Sequence, residues 1–429
     1  MSTRYAKSEQ QLARARNVIP LGAQTFSKSI TQLPQNVSPF FAHRGLGARL
    51  WDIDGNEYVD FNNALCSVTL GYCDADVNTA VAQQLEAGTV FTLSHALETE
   101  VAERICKMVP CAEMVRFGKN GSDATSGAIR IARAFTGRDQ VISCGYHGWQ
   151  DWYIGATARN KGVPAATSAM NTMIPYNDLP ALEKALAQPD RPVAAVIMEP
   201  MNVAYPAPGY LERVAEITRA AGALLIFDET ITGFRFSKGG AQELFGVTPD
   251  LATLGKGIAN GFPLSVVCGR RDVMMEMEEV FFSFTMGGET LSLAAAKAVM
   301  AKLEEQPVVE TMNARGTQLV RGVTERLTRH GVEHFITISG HPTWTFLNFS
   351  DADDISSWEI KTLWLQEIFE RGILSVGSHV INYSHTEADI DRLLQVYDEV
   401  FPILRDAIKQ KSIRQWLKCE PLQPLFKVR

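Results

Sequence analysis

The sequence predicts an α/β protein: a large domain on a mostly parallel sheet with helices on both faces, joined to a smaller α+β lobe. Three observations carry this. From roughly residue 65 to 305, apolar runs such as "AAVIM" (194–198), "ALLIF" (223–227) and "LSVVC" (264–268) are too continuous for strands with one solvated face, and they alternate with amphipathic helical segments. Each run hands over abruptly to polar residues, as expected where an open sheet meets its ligands. After about residue 306 that alternation stops, and helical stretches mix with strand-like ones.

Taken in order, residues 1–64 form an N-terminal segment belonging with the smaller lobe. A helical pattern runs to about Val18 and is stopped by Pro20. "RLWDIDGNEYVDF" (49–61) then sets two short strand-like runs around an Asp54-Gly55 turn. Residues 65–305 are the large domain. Residues 306–429 are the C-terminal α+β domain, with a helix in "SSWEIKTLWLQEIFERG" closed by Arg371 and Gly372 and a strand in "WTFLNF" (344–349).

Composition narrows the function. At 429 residues, 46% apolar and 21% charged, the chain can bury a large core. No run reaches the ~18–20 apolar residues that span a bilayer, and the N-terminus lacks the apolar core of a secretory signal. A cytoplasmic protein with no membrane partner is expected. The net charge of -7, with no basic run interleaved with aromatics, argues against nucleic acid. Seven cysteines without a C-x-x-C pair suggest reduced thiols, not a disulfide framework or a zinc site. His330 and His334 have the spacing of a helical metal pair, but Gly331 lies between them and no acid cluster follows, so no metal is expected.

The residues after the apolar runs carry the chemistry. "AAVIM" ends in Glu199-Pro200, "ALLIF" in Asp228-Glu229, "VISCG" leads into Tyr146-His147-Gly148, and "LATLG" delivers Lys256. An Asp-Glu after an apolar strand also resembles the acidic end of a nucleotide-hydrolase strand. That reading fails, because neither Gly-Lys pair, in "FGKNG" or "LGKGI", is followed by Ser or Thr. A lysine at a sheet edge, flanked by glycines, suits Schiff-base chemistry, which needs a desolvated nucleophilic amine. An ionised Asp on a neighbouring strand suits the ring nitrogen of pyridoxal. A phosphate asks for a helix N-terminus, and "KNGSDATSGAIRIARAF" (119–135) offers one, with Gly121 for close approach and Ser122 as N-cap and hydroxyl donor. Ala124, Ala128, Ile131, Ala132 and Phe135 then mark the buried face of that helix.

The runs "MVRFGKNGSDATSGAIRIARAFTGR", "YHGW", "AAVIMEP", "ALLIFDETITGFRF", "GGAQELFGVTPDLATLGKGIANGFP" and "FTMGGETLSLAAAKA" resemble the class III aminotransferases of the fold-type I pyridoxal phosphate enzymes. The similarity keeps its order from about residue 8 to about residue 395. It implies a mostly parallel seven-stranded sheet, pyridoxal 5'-phosphate as cofactor, and a homodimer with a shared active site. By the same resemblance, Lys256 carries the cofactor, Asp228 meets the ring nitrogen and Tyr146 stacks on the ring. Gly121 and Ser122 take the phosphate together with Thr285 of a second copy, and Glu199 lies beside the cofactor hydroxyl.

The aminomutase branch of the family moves an amino group within one amino-aldehyde. Here "LGAQTFSKS" has Lys28 where that branch keeps an arginine, and a lysine lacks the bidentate fork. The loop "MNVAYPAPGY" (201–210) also departs from that branch. The expected activity is therefore transfer from an amino donor such as glutamate to a separate aldehyde or ketone, including a sugar-acid aldehyde, with aminomutase chemistry as the alternative. Lys28, Trp149, Trp152 and Tyr205 are the candidate acceptor-side residues.

Overall fold

A computed structural model describes residues 3–423, in two compact units. One comprises residues 3–65, Leu70–Asp74 and residues 310–423; the other comprises Cys66–Thr69 and Ala75–Val309.

In the first unit the helix Ala6–Arg16 is followed by β1 (Ala42–Leu46), β2 (Arg49–Asp52) and β3 (Glu57–Asp60). β2 and β3 form the expected antiparallel hairpin, with Leu50 opposite Tyr58. Asp54 does more than turn the chain: its carboxylate accepts the Lys7 N–H at 2.7 Å and the Ser8 N–H at 2.9 Å, satisfying amides in the first turn of the helix.

The second unit holds β4 (Met114–Gly118), β5 (Gln140–Cys144), β6 (Asn171–Met173), β7 (Val193–Met198), β8 (Leu224–Glu229), β9 (Leu251–Leu254) and β10 (Ser265–Gly269). They make one seven-stranded sheet in the order β4-β10-β9-β8-β7-β5-β6. The strands from β9 through β6 run parallel, while β10 is antiparallel to both β4 and β9. "LSVVC" is therefore buried as expected but runs against its neighbours. Continuity of apolar residues reports burial on both faces and carries no information about direction.

The helix Gly121–Thr136 packs on β7, β9 and β10 through Ala124, Ala128, Ile131 and Ala132, all 0% exposed. Small side chains let the helix backbone lie close to the sheet. Phe135, expected on the same face, is exposed, because the buried stripe closes at Ala132 and Phe135 belongs to the last turn beyond it.

Back in the first unit, β11 (Ile336–His341), β12 (Trp344–Phe349) and β14 (Ser378–Val380) form a second sheet, and β13 (Ile373–Leu374) pairs parallel with β3. The helix Ser357–Glu370 begins on a Ser356–Glu359 capping box and stops at Arg371, as its sequence predicts. His330 ends its helix and its Nε2 lies 2.9 Å from Asp398 Oδ1; Gly331 follows with φ 65°, so His330 and His334 never share a helical face. Lys28, the candidate substrate residue of this unit, is exposed at the end of the short turn Phe26–Lys28. Among the described residues no cluster of three or more His, Cys, Asp or Glu could hold a metal, and no helix is long and apolar enough to cross a membrane.

Ile226, 0% exposed at the centre of β8, tests how far the parallel sheet carries stability. Ile226→Ala is expected to lower unfolding free energy by about 2–5 kcal/mol, read from the urea midpoint at unchanged slope.

Candidate functional site

The carboxyl end of β8 delivers two acids with different fates. Glu229 is buried and its carboxylate accepts the Thr232 hydroxyl, the N–H groups of Ala241 and Gln242 and the Gln242 side-chain amide, so it caps the following helix. Burial pushes its carboxyl up from the ordinary value. Asp228 is equally buried but differently supplied. Its Oδ2 lies 2.8 Å from His147 Nδ1; its Oδ1 accepts the Thr230 N–H at 3.1 Å, the Thr230 hydroxyl at 2.6 Å and the Thr253 hydroxyl at 3.0 Å. Burial raises its pKa, but the His147 contact and the Thr230 donors outweigh it and hold the carboxyl below the usual range. Asp228 is thus a buried carboxylate kept charged.

The helix N-terminus is built as expected, with one change of part. Asn120, not Ser122, is the N-cap: its side chain accepts the N–H groups of Ser122 and Asp123, and the Asp123 carboxylate returns to the Asn120 N–H at 2.9 Å. That capping box leaves the Ser122 hydroxyl for another use, since it accepts the Trp149 N–H at 3.3 Å. A Cβ on Gly148 would come 2.2 Å from the same hydroxyl oxygen, so only glycine lets the 145–149 segment lie on this helix. The Thr125 hydroxyl fastens it further through the His147 carbonyl, at 2.8 Å.

Lys256 follows β9, two residues after Leu254 and three after Thr253, which pairs with Asp228 across the strands. It is half-buried and opens the turn Lys256–Ala259 with φ 45°, a left-handed conformation that side-chain-bearing residues adopt at a cost of roughly 1–2 kcal/mol. Strain of this kind is typical of functional sites. Thr230 joins the lysine turn to the helix N-terminus. Its Cγ2 lies 3.1 Å from where a Cβ would stand on Gly121 and equally 3.1 Å from that of Gly255.

Glu199, at the end of β7, is buried and its Oε2 accepts the Tyr146 N–H at 2.9 Å and the Asn202 amide at 2.7 Å. The Tyr146 ring stands edge-on to Tyr153 at 5.7 Å. Asp228, Glu199, Tyr146, Gly121, Ser122 and the Lys256 turn are therefore linked by direct contacts or through one intervening residue. Four candidates stand apart. Trp152 is 8% exposed, its indole donating to the Ser126 hydroxyl at 3.0 Å and its ring stacked on His147 at 6.3 Å, so it backs the Asp228–His147 pair. Trp149 and Tyr205 are exposed, and Thr285 is exposed in the 281–288 loop. Asn120, Thr230 and Thr253 carry no expectation from the sequence, and His147 is named there at its strand end without a role. For His147 a signal existed, since it directly follows Tyr146 just beyond the end of its strand; the two threonines offered none without the strand register.

The model of the class-III aminotransferase family matches residues 31–394. Glutamate-1-semialdehyde 2,1-aminomutase of Methanothrix thermoacetophila is 40% identical over 413 residues, covering 90% of this chain and 94% of that protein. 3-aminobutyryl-CoA aminotransferase of Cloacimonas acidaminovorans is 32% identical over 397 residues, covering 90% and 94%. Among solved structures, the internal aldimine form of the FumI protein of Sphingopyxis sp. MTA144, which holds PLP, superposes with a TM-score of 0.88 at 28% identity, covering 98% of this chain and 99% of that one.

The Asp228–His147 contact gives a pH signature. Because the folded pKa of Asp228 is depressed, its contribution to stability is complete above the unfolded carboxylate value of about 3.9 and is lost as pH falls through the lower folded value. In His147→Leu burial goes unopposed by the histidine and the carboxyl rises. The drop in melting temperature on acidification through and below pH ~4 is then expected to be smaller in that variant than in the native protein, because its Asp228 no longer resists protonation in the folded state; coincident acid limbs would refute the role given to His147.

Proposed function

Because the chain belongs to the class III aminotransferases, pyridoxal phosphate enzymes, we propose that it moves an amino group from an amino acid, glutamate first among them, to a separate aldehyde or ketone. The observation that carries this reading is a charged, buried Asp228 on β8 beside the strand that delivers Lys256. The residues present fit the cofactor. The crowding of Gly121 against Thr230 keeps a side chain off the helix N-terminus, where backbone donors and the Ser122 hydroxyl suit a phosphate. The four-donor shell of Asp228 favours the charge that a protonated ring nitrogen requires.

When bound, pyridoxal phosphate supplies a carbonyl that condenses with amines and a ring that accepts the electron pair left when a C–H bond breaks. The Lys256 Nζ would be the amine that holds the cofactor, and the same amine would serve as the base that carries a proton between the reacting carbons. Asp228 stays ionised and keeps the ring nitrogen protonated. Tyr146 would cover the ring, and its backbone N–H fixes Glu199, which would sit beside the cofactor hydroxyl. Thr285 completes the phosphate site of a second copy of the chain. Support for a homodimer comes from Phe281 at 80% exposure, with Phe284 and Met286 also exposed around Thr285, since such a cluster favours burial against a protein surface.

For the acceptor, Lys28 suits a carboxylate as a point charge, and the exposed Trp149 and Tyr205 offer indole and hydroxyl donors, which is the basis for a sugar-acid aldehyde. Intramolecular transfer is the second reading, favoured by the 40% identity to an aminomutase.

Borohydride treatment of the loaded protein is expected to fix the cofactor on the Lys256 peptide, and Lys256→Ala to lose both this label and turnover. Incubation with glutamate alone should release the oxo acid and bleach the visible absorption, which a panel of aldehydes and keto acids then restores. Conversion of an amino-aldehyde with no separate donor, and no oxo acid from any amino acid, would replace the proposal by the aminomutase reading.

A further inference from the structure

Two residues before Gly121, the Lys119 ammonium lies 3.1 Å from Glu289 Oε2, and both side chains are largely buried, at 17% and 16% exposure. A lysine so near a helix N-terminus would ordinarily be read as a phosphate ligand. Here its charge is taken by a carboxylate, and its backbone N–H is held by Asp123 Oδ2 at 3.1 Å, the same oxygen that closes the capping box at Asn120. Glu289 is as firmly placed. It caps the helix Thr290–Glu305, accepting the Leu291 N–H at 2.6 Å, the Ser292 N–H at 3.2 Å and the Ser292 hydroxyl at 2.6 Å. Burial raises its pKa, but the Ser292 hydroxyl and Lys119 outweigh that and keep it charged. The helix it caps packs against the Lys256–Ala259 turn.

A continuous path therefore runs from the turn at Gly121 through Lys119, Glu289 and one helix to the turn at Lys256. Thr230 closes the frame from the other side. A cofactor held at a phosphate end and at a lysine end is sensitive to the separation of its two anchors, because misplacement by about 1 Å forfeits much of the benefit of prior positioning.

We propose that the Lys119–Glu289 ion pair is a strut that sets the distance between the phosphate-binding turn and the lysine-bearing turn, making both residues positioning residues for pyridoxal phosphate. The proposal rests on the cofactor placement given above. Lys119 does not itself hold the phosphate.

The test compares apo-protein binding of pyridoxal phosphate, which spans both anchors, with binding of inorganic phosphate, which uses one. Lys119→Met is expected to raise the Kd for pyridoxal phosphate about tenfold while leaving that for inorganic phosphate unchanged. Glu289→Gln should do the same, since its amide oxygen still caps the helix, and Lys119→Arg should restore native affinity. Equal losses for both ligands would make Lys119 a phosphate ligand and overturn the strut. A lower apo melting temperature with native affinity for both would make the pair merely structural and overturn it equally. Should native protein fail to label at Lys256 with borohydride, the cofactor placement and the strut fall together; if it labels and Lys119→Met binds as the native protein does, only the strut falls.

Discussion

A carboxylate that must stay charged in a dry place is the constraint around which this site is organised. Desolvation alone would neutralise Asp228, so its charge depends on the donors around it. Its donors come from three separate pieces of backbone: His147 after β5, Thr230 after β8 itself, and Thr253 on β9. Keeping the charge therefore also pins the order of the strands that supply those donors. His147 is fixed in turn, its Nε2 3.2 Å from the Cys144 carbonyl and its ring backed by Trp152. Local electrostatics and the core are here one structure, since a change in the packing of Trp152 acts on the donor to Asp228.

Close approach is the second constraint. Thr230 donates to Asp228 and also occupies the space between Gly121 and Gly255. One threonine thus connects the acid, the helix N-terminus and the turn bearing Lys256. The Lys119–Glu289 pair links the same two turns on a different route, through the helix Thr290–Glu305. A site supported by two independent routes can hold a ligand at both ends with little reorganisation, which is what electrostatic preorganisation requires.

Much of this was legible in the residues themselves. The fully buried strands announced themselves as unbroken apolar runs, and Glu199, Asp228, Tyr146 and Lys256 fell at or just beyond their ends, where parallel sheets present ligands. Other parts were not. Ser122 is a good N-cap by type, yet Asn120 takes the role because its side chain reaches two amides while Asp123 answers it three residues on. Trp152 reads as a pocket aromatic from its place near Tyr146, and only the structure shows that, six residues on in the short helix Asp151–Ile154, its ring is largely buried against His147. Glu229 and Asp228 are adjacent and chemically alike; only the pleat of β8, which sends neighbours to opposite faces, separates a capping acid from a site acid.

By itself the sequence determined the elements, their buried faces and the chemical types gathered at the strand ends, because burial and backbone geometry act within short stretches and leave periodic traces. Only the tertiary structure decided the antiparallel course of β10, the pairing of Asp228 with His147 and the meeting of Lys119 with Glu289, 170 residues apart in the chain. Those outcomes depend on which segments become neighbours in space, and the energy of a hydrogen bond or ion pair falls away within a few ångströms, so no local pattern records them.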